Sequence, residues 1–119
     1  MTCQGARWVE PLCRIAPDFR LGGLSIRELF ERVAPDLTDE YRVRSLVRRH
    51  LAAHPALIEA WQTYSYDKRS SPSPYLDGKE VGYYDGRPED VVLHDDEIAA
   101  CADFICREAA WILERRRSK

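Results

Sequence analysis

Hydrophobic positions along the chain change their spacing twice, and those changes divide it into three stretches. From residue 24 to residue 66 the spacing is helical. Ile26, Leu29, Phe30 and Val33 form one apolar stripe, with Pro35 placed to end the helix. Ser25 and Glu28 make an S-x-x-E capping box, and Leu24 with Leu29 supplies the hydrophobic staple beside it. A second helix start falls at Thr38, followed by Asp39 and Glu40, and Val43, Leu46, Val47 and Leu51 then lie on one face up to His54. Pro55 suits the first turn of a third helix, whose inner face carries Leu57, Ala60, Trp61 and Tyr64.

From Asp67 the pattern turns strand-like. Lys68-Arg69-Ser70-Ser71-Pro72-Ser73-Pro74 is rich in breakers. Tyr75-Leu76 and Val81-Gly82-Tyr83-Tyr84 then flank Asp77-Gly78, which reads as a hairpin turn, and Asp85-Gly86-Arg87-Pro88 turns the chain into a third strand at Val91-Val92-Leu93. The last element is a long helix from about Asp95 to Arg116, with acids loading its first turn and arginines its last. At 100° per residue, Ile98, Cys101, Ala102, Ile105, Ala109, Ile112 and Leu113 face the sheet, and Phe104 and Trp111 lie on the opposite side.

The expected fold is therefore α+β. Three short N-terminal helices pack as a small bundle, followed by a small antiparallel β-meander and a long C-terminal helix packed on the sheet. A chain of 119 residues forms one domain, with 1–23 as an irregular N-terminal segment, 24–66 as the helical part and 74–119 as the meander and final helix. Residues Trp8, Val9, Pro11, Leu12 and Ile15 of the irregular segment either fold back over Phe104 and Trp111 or leave them as an exposed aromatic patch.

Composition narrows the function classes. Hydrophobic residues at 45% and charged residues at 32% fit a globular domain, and no apolar run approaches the roughly 20 residues needed to span a bilayer. Charges spaced through the first 24 residues leave no apolar signal segment. The four cysteines, Cys3, Cys13, Cys101 and Cys106, form no CxxC pair. Cys101 and Cys106 point about 140° apart on a helix and do not bridge each other, whereas Cys3 and Cys13 could pair. Reduced thiols and a cytoplasmic location are the expectation.

Catalytic and metal motifs give little. His50 and His54 stand at i, i+4, but the Glu of H-E-x-x-H is missing and both fall within an apolar stripe, so no metal or cofactor is expected. Ser65-Tyr66-Asp67-Lys68 matches S-x-x-K without the S-D-N and K-T-G partners of that chemistry. The acids at Glu89-Asp90 and Asp95-Asp96-Glu97 are adjacent in sequence rather than opposed, and the expectation is that the chain is no enzyme.

Charge distribution is more telling. Up to Arg69 the chain holds 11 basic and 9 acidic residues, and beyond it 7 basic and 11 acidic, so a chain of net charge −2 is +2 in its first part and −4 in its second. Within 77–97 eight acids oppose only Lys79 and Arg87. An acidic face interleaved with tyrosines can steer and hold a basic protein. The residues expected to carry such a contact are Tyr66, Lys68, Arg69, Tyr75, Tyr84, Asp85, Glu89, Asp90, Asp95, Asp96, Phe104 and Trp111. In architecture the run from Val81 through His94 and Asp95 to Ile105 is similar to small bacterial immunity proteins, which sequester a toxin through an acidic recognition face. That similarity implies a non-enzymatic, inhibitor-like protein-binding module, and no specific motif carries residue roles over from it.

The alternative is nucleic-acid binding. Three helices followed by a hairpin resemble a winged helix-turn-helix domain, in which Arg42, Arg44, Arg48 and Arg49 would contact DNA. The net negative charge and the acids at Asp36, Asp39 and Glu40 oppose it. Only three lysines stand among the 18 basic residues and asparagine is absent, a coding bias that makes arginine clusters cheap. Membrane binding is not expected.

Overall fold

The structure, a computed structural model, describes residues 9–33, 40–67 and 73–117. Cys3, Trp8, Thr38, Lys68 and Arg69 lie outside the described residues, as do the side chains of Val33, Arg42, Val43, Leu113 and the three final arginines. Within them the chain forms α1 (Val9–Cys13), α2 (Ile15–Leu21), α3 (Ile26–Val33), α4 (Glu40–Ala53), α5 (Ala56–Asp67), β1 (Ser73–Asp77), β2 (Glu80–Tyr84), β3 (Pro88–Leu93) and α6 (Glu97–Arg117). The α+β arrangement of helices, meander and C-terminal helix on the sheet is the one the hydrophobic pattern predicts.

The segment expected to be irregular is the first correction, because it is helical over α1 and α2. Val9, Leu12, Cys13, Ile15 and Ala16 are buried, and 9, 12, 13 and 16 follow the i, i+3, i+4, i+7 spacing of a helix face. Pro11 and Pro17 hide the pattern without breaking it. Each is the third residue of its helix, where the missing N–H has no intrahelical acceptor to lose. Arg14 N donates to Glu10 O and Asp18 N to Arg14 O, so helical hydrogen bonding carries across the junction. Gly22 and Gly23, at φ 86° and 99°, then end α2 in a backbone region that side chains disfavour.

The capping box at α3 forms as the sequence predicts. Ser25 N donates to Glu28 Oε1 at 2.9 Å and Glu28 N donates to Ser25 Oγ at 3.2 Å. The Ser25 backbone N–H, and after it the Ser25 hydroxyl, lower the pKa of the Glu28 carboxyl by hydrogen bonding to it.

The sheet is a meander in the order β1-β2-β3, antiparallel throughout. Asp77 pairs with Glu80, so the central turn residues are Gly78 and Lys79, one position later than the Asp77-Gly78 reading. Only Gly78 has positive φ, at 63°, which fits a type II′ turn with glycine at its first central position. Between β2 and β3 the register slips: Val81 faces Val92 while Tyr83 faces Glu89. The extra residue is a bulge in β3, with Asp90 at φ 50°.

Helix α6 is central. Every residue from Ala100 to Cys106 is buried, together with Glu108 and Ala109, so the helix has no single apolar stripe. It packs against β1 and β2 on one side and against α3, α4 and α5 on others. This corrects the placing of Phe104 and Trp111. Phe104 is fully buried against Trp61 and Tyr64 of α5, at ring separations of 6.0 and 6.2 Å, and belongs to no surface. Trp111 turns toward the sheet, its ring edge-on to Tyr83 of β2 at 5.0 Å. Trp61 ties the layers together: its indole N–H donates to Cys13 O at 2.8 Å inside the core.

Candidate protein-binding face

The two outer strands of the sheet are finished differently, and that difference defines the accessible surface. A two-residue hairpin alternates the backbone of β1 so that Leu76 turns its N–H and C=O away from β2. Helix α5 satisfies both. Ser65 Oγ accepts from Leu76 N at 2.8 Å, and Gln62 Nε2 donates to Leu76 O at 2.6 Å. Gln62 Oε1 also accepts from Gly78 N at 2.7 Å, so the outer edge of β1 is closed.

Strand β3 has no such cover among the described residues, and all six of its residues are exposed. Val91, Val92 and Leu93 keep 45%, 39% and 75% of their surface in solvent. His94 N donates inward to Lys79 O at 2.9 Å, so alternation turns the N–H and C=O of Leu93 outward. The strand is tied to α6 at its bulge and just past its last residue. At one, Arg107 Nη1 donates to Asp90 O at 3.2 Å. At the other, His94 Nε2 lies 2.8 Å from Asp103 Oδ2.

Asp103 is the hub of that attachment. Its carboxylate is 2% exposed on α6, with Oδ1 accepting from Arg107 Nε at 3.0 Å and lying 3.3 Å from Arg44 Nη2 of α4. One buried carboxylate thus links α4, α6 and the residue after β3. A second buried carboxylate, Glu108, accepts a hydrogen bond from the Tyr64 hydroxyl, and burial followed by the Glu108 charge pushes the Tyr64 phenol far above its ordinary range. The sequence reading missed both acids. The available signal was their position inside an Ala-, Cys- and Ile-lined helix, but apart from Arg107, four residues on, their partners lie 9 to 59 residues away in sequence.

The acids expected to form the face are indeed at the surface. Asp77, Asp85, Glu89, Asp90, Asp95 and Glu97 are exposed, and Glu80 and Asp96 are half-buried. Asp96 also has a local duty: its Oδ1 accepts from Ala99 N at 2.7 Å and caps α6. The tyrosines divide. Tyr66 is exposed with its hydroxyl donating to Asp77 Oδ1 at 2.9 Å, and that bond raises its pKa. Tyr84 is exposed too. Tyr75 lies across Gly82 and donates to Glu80, and burial with that hydrogen bond pushes its phenol up to about 12.

On the alternative surface, Arg48 and Arg49 are exposed, while Arg44 is drawn to Asp103. His50 and His54 stack with ring centroids 4.4 Å apart, and partial burial followed by the neighbouring His54 holds His50 below its ordinary pKa. Among the described residues no three His, Cys, Asp or Glu side chains gather as metal ligands. Cys13, Cys101 and Cys106 are buried and in no disulfide among the described residues, and burial, then the neighbouring Cys106, pushes Cys13 up to about 12. No described helix is long and apolar enough to cross a membrane. No protein-family model, curated protein sequence or solved structure matches the chain.

Proposed function

We propose that the protein is a non-catalytic binding module that engages a basic protein through the acidic face formed by the two meander turns, β3 and the start of α6. The observation that carries this reading is the concentration of charge. Glu89 and Asp90 precede, and Asp95, Asp96 and Glu97 follow, three solvent-exposed apolar residues on a strand that nothing described covers. Exposed Tyr66 and Tyr84 add amphipathic contact area near the same sheet. An acidic field of this kind speeds encounter with a cationic partner and weakens as salt rises.

Both oxygens of Asp103 are engaged by arginine and histidine in joining elements, which supports a structural duty for the His94–Asp103 pair. A DNA-binding use of α4 draws no support from Arg44, whose guanidinium is spent on Asp103.

The test is affinity capture from the native cell with the intact chain and with a Glu89→Lys, Asp95→Lys double variant, two exposed sites whose change leaves the capping Asp96 in place. The reading requires a basic protein retained at low salt, eluted as salt rises, and lost with the double variant. Capture unchanged by the charge reversal refutes it. So does a salt-sensitive DNA gel shift abolished by Arg48→Ala with Arg49→Ala.

A further inference from the structure

We infer that the partner's contact segment is an extended basic strand that adds to the open edge of β3. This rests on the acidic-face reading above and specifies how that face is used. The backbone of Leu93 turns its N–H and C=O outward, and a sheet edge with unpaired groups is a template for another strand. Natural edges are commonly blunted by lysine, by burial or by a covering helix. The β1 edge is covered in that way by Gln62 and Ser65. The middle of β3 carries Val91, Val92 and Leu93 instead, with side chains exposed on both faces of the strand.

Charge selects the occupant. Acids bracket the apolar trio at both ends, so the complementary strand has cations at its ends and β-branched or aromatic residues between them. A second copy of this chain fits poorly. Antiparallel pairing of two β3 strands about a two-fold axis at Val92 or Leu93 brings Glu89 and Asp90 of each copy toward the Asp95-Asp96-Glu97 cluster that follows the strand in the other. Pairing about Val91 sets Leu93 against Glu89. Like charges directly opposite each other destabilise an antiparallel pair. Bound in place, the basic strand becomes the fourth of the sheet, next to the Arg107 and His94 ties that already hold β3 to α6 at its bulge and just past its last residue.

The probe is a fluorescein-labelled peptide, Lys-Arg-Val-Thr-Val-Arg-Lys, titrated into the isotopically labelled intact chain. Binding should shift amide resonances within residues 88–96 and leave those of β1 in place. N-methylation of alternate peptide amides should weaken binding at least tenfold, because it removes donors without changing charge. Leu93→Pro, which removes the outward N–H, should weaken it at least fivefold. Leu93→Lys is the second variant, for which a like-charged edge replaces the missing donor, and melting curves establish that each variant is folded.

Absence of binding at millimolar peptide overturns strand addition. Equal binding by the N-methylated peptide and by Leu93→Pro also overturns it, and in that case the charge-reversal capture experiment still decides the acidic-face reading by itself. A concentration-dependent dimer of the free chain that Leu93→Pro abolishes assigns the edge to a second copy and overturns the basic-strand assignment.

Discussion

The two edges of one small sheet show what a side chain two elements away can decide. Strands β1 and β3 both flank β2, and both present outward backbone groups by simple alternation. Beside β1, helix α5 offers an amide and a hydroxyl at i and i+3, and three backbone groups find partners there. Beside β3, α6 offers Asp103 and Arg107, which fasten the strand at its bulge and just past its last residue and leave the stretch between bare. Closure therefore depends on which polar side chains the neighbouring helix carries and where they fall. The β1 edge is closed by its neighbouring helix, and the β3 edge has no such cover among the described residues.

The largest expected effect breaks that arrangement at the hub. Asp103→Ala removes a buried carboxylate that Arg107, Arg44 and His94 share, and should cost about 3 kcal/mol in chemical denaturation. Amide exchange should quicken in β3 while β1 keeps its protection. Equal quickening of both strands would mean the hub serves the whole sheet.

Opening the closed edge comes next. Gln62→Ala with Ser65→Ala strips Leu76 and Gly78 of their side-chain partners and should cost about 2 kcal/mol, with faster exchange at the Leu76 amide. The Trp61 core contacts stay in place, so the melting transition should remain a single step.

A smaller cost falls on β2, between the two edges. A Cβ at Gly82 would stand 2.9 Å from the Tyr75 ring, so Gly82→Ala must push that ring off the strand. The ring is the far end of a mobile side chain, and the expected loss is about 1 kcal/mol. The Tyr75 phenol, released from Glu80, should then titrate below about 12 in an absorbance titration.

The smallest effect is a control that should touch neither edge. The capping box lowers the Glu28 pKa, so the folded state holds fewer protons there than the unfolded chain does at mildly acidic pH. Its stabilisation is present above the ordinary value of 4.5 and is lost as pH falls through the lowered folded value. Carboxyl NMR titration should find Glu28 below 4.5 in the native chain and only partly restored toward 4.5 in Ser25→Ala, which removes the hydroxyl but keeps the backbone N–H, with β1 and β3 exchange unchanged in both.

Local chemistry explains which of these features could be read before the structure. The capping box, the glycine turn and each hairpin of the meander depend on residues within about ten positions of one another; the box appears where the pattern puts it and the turn one position later. Pro11 and Pro17 obscure α1 and α2 because proline disfavours a helix interior, whereas each of these stands in a first turn, where it is tolerated. Helical periodicity misplaced Phe104 and Trp111 because it assumes one buried face, whereas α6 is enclosed on several sides. Val91-Val92-Leu93 has the apolar composition of an inner strand and lies outermost, a matter of sheet order that no local pattern encodes. The face acids were legible through their count, but the capping duty of Asp96 and the commitment of Arg44 to Asp103 are contacts that only the folded chain displays.

The enclosed position of α6 also bears on how the chain comes off the ribosome. Trp61, Phe30 and Leu76 are made well before the helix against which their neighbourhood closes. Until α6 emerges they lack their packing surface, and the nascent chain presents sticky aromatic groups for the whole interval. Slow synthesis through residues 97–112 would lengthen that exposure.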